Sequence, residues 1–266
     1  MNIIISLTSI PSRILNPSFD IHIKRLLNDQ ILPIHKCILS IPKLYKRFNN
    51  DSIHSIENKI SQLSNQYNHL ICQWLDIDYG PASKFLGLYE WLLLNEFYQN
   101  NTIYIFLDDD RLYHYKTSEI YFNFFQQFKD ISVVTGNKYL YFHTFIYKNL
   151  NDSIISYHIN KKKYVSGFMS FAINNFYLLS NIYHYSIQIL NLYSDSFFHD
   201  EGILLNFFHC FNITVFYIQF PFITIIHEEM IDALCLLSHS RKLIENEIRK
   251  YTLKLGFNYY KLYLRS

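Results

Sequence analysis

The sequence predicts an α/β domain, a mostly parallel sheet with a mixed second half, and three observations carry that expectation. Short apolar runs alternate with amphipathic stretches through the first half of the chain. Such βαβα succession makes a parallel sheet covered by helices on both faces. Half of the 266 residues are hydrophobic, which is ample for one large core. Third, residues 103–107 form a β-branched and aromatic run that follows the polar turn Gln99-Asn100-Asn101-Thr102 and stops at Asp108, Asp109 and Asp110. A strand buried on both faces reads this way.

Taken in order, residues 2–7 read as the first strand. Phe19, Ile23, Leu26 and Leu27 then share one helix face at the 3.6-residue period. Residues 36–41 are a second strand, Ile56, Ile60 and Leu63 mark a helix, and 69–75 are a third strand. The apolar helix at 84–97 leads into the strand at 103–107. A helix near 118–128 and a strand at 131–135 follow, and 139–173 carry short strands rich in Tyr, Phe and Ile. Helices at 176–192 and 200–211, strands at 213–218 and 223–226, and a helical tail after Ser238 complete the chain. Nothing in it repeats, and no low-complexity linker divides it, so a single domain over 1–266 is expected.

Composition excludes several classes. A net charge of +2 gives no reason to expect nucleic acid, and Lys161-Lys162-Lys163 is too short for a polybasic patch. Cys37, Cys72, Cys210 and Cys235 are far apart without a C-x-x-C pair, and read as buried thiols in a reducing compartment. Met1-Asn2-Ile3-Ile4-Ile5 lacks a basic leader and passes straight into a strand. The longest apolar stretch, 213–226, is broken by Gln219 and Pro221 and is too short to span a bilayer. A cytoplasmic protein without a transmembrane segment is the expectation.

Three adjacent carboxylates repel one another, so their place at a strand end implies a cation or many donors nearby. Hard oxygen ligands there suit Mg²⁺ or Mn²⁺ carrying a phosphate ligand, whereas the plainer reading is a solvated acidic turn. Leu7-Thr8-Ser9-Ile10-Pro11-Ser12-Arg13 offers hydroxyls, backbone amides and a guanidinium for a base or phosphate, or is an ordinary polar turn. In Asp78-Tyr79-Gly80-Pro81-Ala82-Ser83-Lys84, Gly80-Pro81 fixes a turn, and Lys84 either faces a bound anion or is a solvated residue on a capped helix start. Gly167, between bulky neighbours, suggests close backbone approach to a neighbour or ligand. Asp200 and Glu201 open a helix, where carboxylates serve as caps or, staying ionised, as a general base. His227 follows the strand at 223–226 and reads as a surface residue or a metal ligand.

In this order the set resembles the nucleotide-sugar glycosyltransferases of the GT-A fold, whose sheet is Rossmann-like, from the first strand to about His227. Residues 108–110 match that family's Asp-x-Asp element, which implies that Asp110 binds a divalent metal and that Asp108 faces the nucleotide ribose and is a further metal ligand. The resemblance also implies that Thr8, Ser9, Arg13, Asp78, Lys84 and Asp109 surround the base and diphosphate. Gly167 would lie beside the donor sugar or acceptor, and His227 would be a further metal or diphosphate contact. Asp200 or Glu201 matches the base of inverting members, although an Asp-Glu pair departs from the two aspartates frequent there.

The implied reaction moves a sugar from a nucleoside-diphosphate donor, UDP-sugar foremost, to a hydroxyl of a glycan, glycolipid or glycoprotein, with Mn²⁺ or Mg²⁺. Residues 1–135 would form the donor half and 136–266 the acceptor half. One alternative is a phosphohydrolase of the haloacid dehalogenase type, which expects Thr or Val where Leu112 stands. Another is a glycosyltransferase-like binding domain without activity.

Overall fold

Along β1 (Asn2–Thr8), Ile3, Ile5 and Leu7 alternate with Ile4, and the two sets enter different clusters of buried side chains. Successive strand residues point to opposite faces, so a strand apolar at both parities must be covered on both sides. The computed structural model describes residues 1–48, 50–97, 101–130, 132–137, 146–150, 153–162, 170–213, 215–219, 224–225 and 238–256.

Strand β1 pairs in parallel with β2 (Lys36–Pro42) and with β4 (Thr102–Phe106), so that Ile4 lies between Lys36 and Tyr104. Strand β3 (Leu70–Leu75) extends the sheet beyond β2. Beyond β4 come β9 (Phe171–Ile173), β6 (Val133–Asn137), β10 (Val215–Gln219), β8 (Ser153–Lys162) and β7 (Ile146–Leu150). Among the described residues this is one nine-stranded sheet, and following the pairings leaves β8 and β9 running against the other seven. One sheet therefore runs through both halves of the chain. The order β3-β2-β1-β4 turns back between β1 and β4. In open α/β sheets, the crevice at the carboxyl ends of strands flanking such a reversal holds the ligand.

Two helical layers cover the sheet. On one face lie α1 (Pro11–Ile14), α2 (Ser18–Leu27), α3 (Ile53–Gln66) and α5 (Thr117–Gln127), burying Ile14, Phe19, Ile23, Ile56, Ile60 and Phe124. The other face carries α4 (Ser83–Leu94), α6 (Phe176–Leu192), α7 (Asp200–Cys210) and α8 (Ser238–Lys254). Helix α4 lies close against the sheet because Gly87 has no side chain, and a Cβ there would stand 2.4 Å from Ser40 Oγ. No helix among the described residues is long and apolar enough to cross a membrane.

Expected and observed elements differ mainly at their ends. The helix expected at 84–97 stops at Leu94, and the strand expected at 131–135 starts at Val133. The two-residue strand β5 (Arg111–Leu112) has no periodicity to betray it; it pairs with β11 (Thr224–Ile225) in a separate ladder. That ladder ties the chain just after the acidic triplet to the strand expected at 223–226.

Candidate active site

The acidic triplet begins two residues after β4 ends, at the reversal of strand order. Its three carboxylates have different surroundings. Asp109 is buried, with 5 % of its surface exposed. It accepts hydrogen bonds from Ser9 Oγ and from Arg13 Nη1, the latter at 2.5 Å. The Ser9 carbonyl in turn accepts a bond from Tyr45 Oη at 3.0 Å, fixing the turn after β1. By contrast, the side chains of Asp108 and Asp110 keep 26 % and 25 % of their surface exposed. The middle carboxylate thus locks the loop, and the outer two keep part of their surface exposed.

Lys84, at the start of α4, is buried with 4 % exposure and bridges two carboxylates. Its Nζ lies 2.8 Å from Asp108 Oδ1 and 2.9 Å from Asp200 Oδ2. Ser6 Oγ donates to the Lys84 carbonyl at 2.5 Å, so the backbone of this residue is tied to β1. Asp108 is also held from behind, its amide donating to Tyr113 Oη at 2.9 Å. Asp110 lies 3.5 Å from Arg13 Nη2 and 3.3 Å from Arg111 Nε. Within this network four carboxylates (Asp108, Asp109, Asp110, Asp200) meet three cations (Arg13, Lys84, Arg111), leaving one negative charge in excess.

The electrostatics follow. Burial pushes the Asp108 carboxyl up to about 6, with Lys84 opposing and Asp110 and Asp200 adding to the rise. Burial, and then Asp109, also raise Asp110 against the pull of Arg13 and Arg111. Burial acts to raise Asp200 too, but the Lys84 ammonium, together with His199 and the Glu201 amide, outweighs it and holds the carboxyl below its ordinary range. Lys84 itself is held charged, because its two carboxylates outweigh its desolvation.

Asp200 is delivered by a chain of close contacts. Asp78 closes the turn before α4, accepting from the Lys46 and Gly80 amides, both at 2.8 Å. Gly80 has φ +61°, and a Cβ there would stand 2.7 Å from the Phe197 carbonyl oxygen. The Gly-Pro turn therefore docks on the 3₁₀ segment Ser194–Phe198, which leads directly into α7. In the first turn of α7, Gly202 leaves room for the His199 ring, 2.6 Å from where a Cβ would be.

The structure brings Ser9, Arg13, Lys84, Asp108, Asp109, Asp110 and Asp200 into one network. Thr8 and Asp78 bond to the scaffold: the Thr8 hydroxyl donates to the Ser40 carbonyl at 2.7 Å, and Asp78 holds the turn described above. Lys84, read from the sequence as facing a bound anion, faces two carboxylates of the chain itself. Glu201 is buried beside Asp200 in the first turn of α7. Gly167 and His227 lie outside the described residues. Tyr45, Tyr113 and Arg111 escaped the sequence reading; only Arg111, adjacent to the triplet, carried a signal that could have found it.

A divalent ion fits the outer pair. Asp110 Oδ1 is buried and accepts no hydrogen bond, with Arg111 Nε 3.3 Å away as its ion-pair partner, and hard carboxylate oxygens are the right donors. No group of three or more His, Cys, Asp or Glu among the described residues encloses a metal. Asp108 and Asp110 would hold the ion from one side only, as suits Mg²⁺ or Mn²⁺ that takes its other ligands from phosphate and water.

No protein-family model matches the chain, and no curated protein matches it either. Among solved structures, 2-C-methyl-D-erythritol 4-phosphate cytidylyltransferase of Francisella tularensis is similar over 90 % of this chain and 99 % of its own, at 12 % identity and TM-score 0.47. A 4-diphosphocytidyl-2C-methyl-D-erythritol synthase is similar over 83 % of this chain and 89 % of its own, at 8 % identity and TM-score 0.47. S. aureus TarS is similar over 51 % of this chain and 21 % of its own, at 14 % identity and TM-score 0.33. With TM-scores below 0.5, these likenesses establish neither fold nor activity.

Proposed function

We propose that this chain is a metal-dependent glycosyltransferase that moves a sugar from a nucleoside-diphosphate donor, UDP-sugar foremost, to an acceptor hydroxyl with inversion. The observation that carries the reading is the division of labour in the triplet. Asp109 is consumed by Ser9 and Arg13, while the side chains of Asp108 and Asp110 keep about a quarter of their surface exposed at the reversal of strand order. An Asp-x-Asp element suits that arrangement: the middle residue serves the fold, and each outer carboxylate keeps exposed surface beside its ion pair with Lys84, Arg13 or Arg111.

Asp108 and Asp110 would hold Mn²⁺ or Mg²⁺, which when bound supplies Lewis-acid stabilisation to the departing diphosphate. Arg13 and Arg111 flank Asp110 and add positive charge beside the same group. Asp200, kept ionised by Lys84, takes the proton of the acceptor hydroxyl. The hydroxyl oxygen bonds the anomeric carbon from the opposite face as the bond to the diphosphate oxygen breaks, releasing the nucleoside diphosphate. The acceptor would be a hydroxyl of a glycan, glycolipid or glycoprotein.

Thermal unfolding with UDP, with and without Mn²⁺, tests this reading. Binding stabilises the folded state by about 2.7 kcal/mol at a ligand concentration a hundred times Kd, so UDP should raise Tm when metal is present and not after chelation. Asp110→Ala should remove most of that rise while the protein stays folded. An equal rise without metal, or in the variant, would sink the metal site. Pyrophosphate release from a nucleoside triphosphate, without sugar transfer from any UDP-sugar, would replace glycosyl transfer with nucleotidyl transfer.

A further inference from the structure

We infer that Lys84 is a positioning residue, setting Asp200 at a fixed place against the acidic triplet without itself binding the donor diphosphate. The inference rests on the glycosyl-transfer reading above and assigns Lys84 a different part from the anion contact that its sequence context implies.

An ammonium group has three donors, and two of those on Lys84 are spent on Asp108 Oδ1 at 2.8 Å and Asp200 Oδ2 at 2.9 Å. Only 4 % of the residue is exposed. Its backbone is pinned as well, because the Lys84 carbonyl accepts from Ser6 Oγ in β1. Gly87, one turn further on, sets α4 directly against Ser40 of β2. The Lys84 Cα is therefore fixed relative to β1 and β2, and its ammonium transmits that position to a carboxylate of α7.

Asp108 and Asp200 come from distant parts of the chain and would repel each other unbridged. A shared buried cation is what lets both stand within reach of one atom. Lysine is strongly hydrated, and burying its charge is tolerated only with such pairing. What the pairing secures is a set distance between the group that accepts the acceptor's proton and the motif that orients the donor. Misplacement of a reacting group by about 1 Å costs about 10²-fold in rate.

The test compares the full-length unaltered protein with Lys84→Met, Lys84→Arg, Asp200→Asn and the Lys84→Met/Asp200→Asn double variant. Two readouts are needed: calorimetric UDP binding in Mn²⁺, and kcat and KM for UDP-sugar turnover. Lys84→Met should lower kcat by about 10²-fold. At saturating Mn²⁺ it should weaken UDP binding and raise donor KM by no more than about threefold, since Lys84 gives the diphosphate no contact and Asp108, released from Lys84, would still have the metal as its cation. Lys84→Arg, whose fork can still span two carboxylates, should recover part of the loss in kcat. In the Asp200→Asn background, adding Lys84→Met should cost less than about threefold further, because both changes act through one carboxylate. Should Lys84→Met alone fail to fold, the double variant removes Lys84 together with the Asp200 charge and still supplies this comparison. Tenfold weaker UDP binding in Lys84→Met, or multiplicative losses in the double variant, overturns the inference. Absence of sugar transfer by the unaltered protein overturns the transferase reading instead, so the two failures are distinct.

Discussion

Arg13 reaches from the turn after β1 to Asp109 in the loop after β4, placing Nη1 2.5 Å from Oδ1. This pair ties α1, just after β1, to the loop after β4, joining the two segments on either side of the strand-order reversal. The same guanidinium extends to Asp110 only at 3.5 Å, and that difference in geometry separates a carboxylate that maintains the fold from one left for a ligand.

Asp109→Ala should therefore destabilise the protein by roughly 2–3 kcal/mol, since it leaves Ser9 and Arg13 without their buried acceptor. The value stays below that for a fully buried pair because 19 % of the Arg13 side chain is exposed. Asp110→Ala should cost about 0–1 kcal/mol, its long contacts contributing little. Urea midpoints at unchanged m-value would measure both. Equal losses would mean that Asp110 is as structural as Asp109.

Tyr113 is a buried phenol whose oxygen accepts the Asp108 amide at 2.9 Å. Tyr113→Phe keeps the ring and removes that acceptor, leaving a half-buried N–H without it at the head of the triplet. A loss of about 1–2 kcal/mol is expected, together with weaker metal-dependent UDP binding. Unchanged stability and unchanged binding would show that the bond does not hold the loop.

Gly87→Ala should be destabilising by about 1–3 kcal/mol, although alanine is the better helix former by about 1 kcal/mol. The reason is the added methyl, which would meet the Ser40 side chain well inside contact distance. Activity should fall with it, since α4 carries Lys84. A variant more stable than the original protein would show that α4 can move away from β2 at little cost.

For the base, Asp200→Asn should lower turnover by on the order of 10²–10⁴-fold with metal-dependent UDP binding retained. Glu201→Gln should do much less, because the Lys84 contact falls on Asp200. A reversed ranking in steady-state kinetics would transfer the role to Glu201, and full activity in both would point to a retaining mechanism or a different base.

Much of the first half was legible because its central strands are buried on both faces and helices such as α2 and α3 bury one continuous face. Alternation along β1 and the 3.6-residue spacing of Phe19, Ile23 and Leu26 are local patterns, and burial bears them out. The abrupt change from Phe106 and Leu107 to three aspartates likewise marked the carboxyl end of β4 without any tertiary information. The ladder of β5 and β11 was not legible, since two residues have no period and their pairing joins distant parts of the chain.

Periodicity and charge were thus enough to place most of the strands, their buried faces and the acidic triplet at the end of β4. Only the folded chain decided how those carboxylates are used. That Asp109 turns inward to Ser9 and Arg13, that Asp78 accepts from the Lys46 amide, and that Lys84 faces Asp108 and Asp200 are all outcomes of long-range packing. A side chain's partners depend on which loops the sheet order brings together, and that order depends on contacts between residues far apart in the sequence. The physical reason is that hydrophobic periodicity is read locally, whereas pairing of buried charge is settled by whatever the tertiary fold places within 3–4 Å.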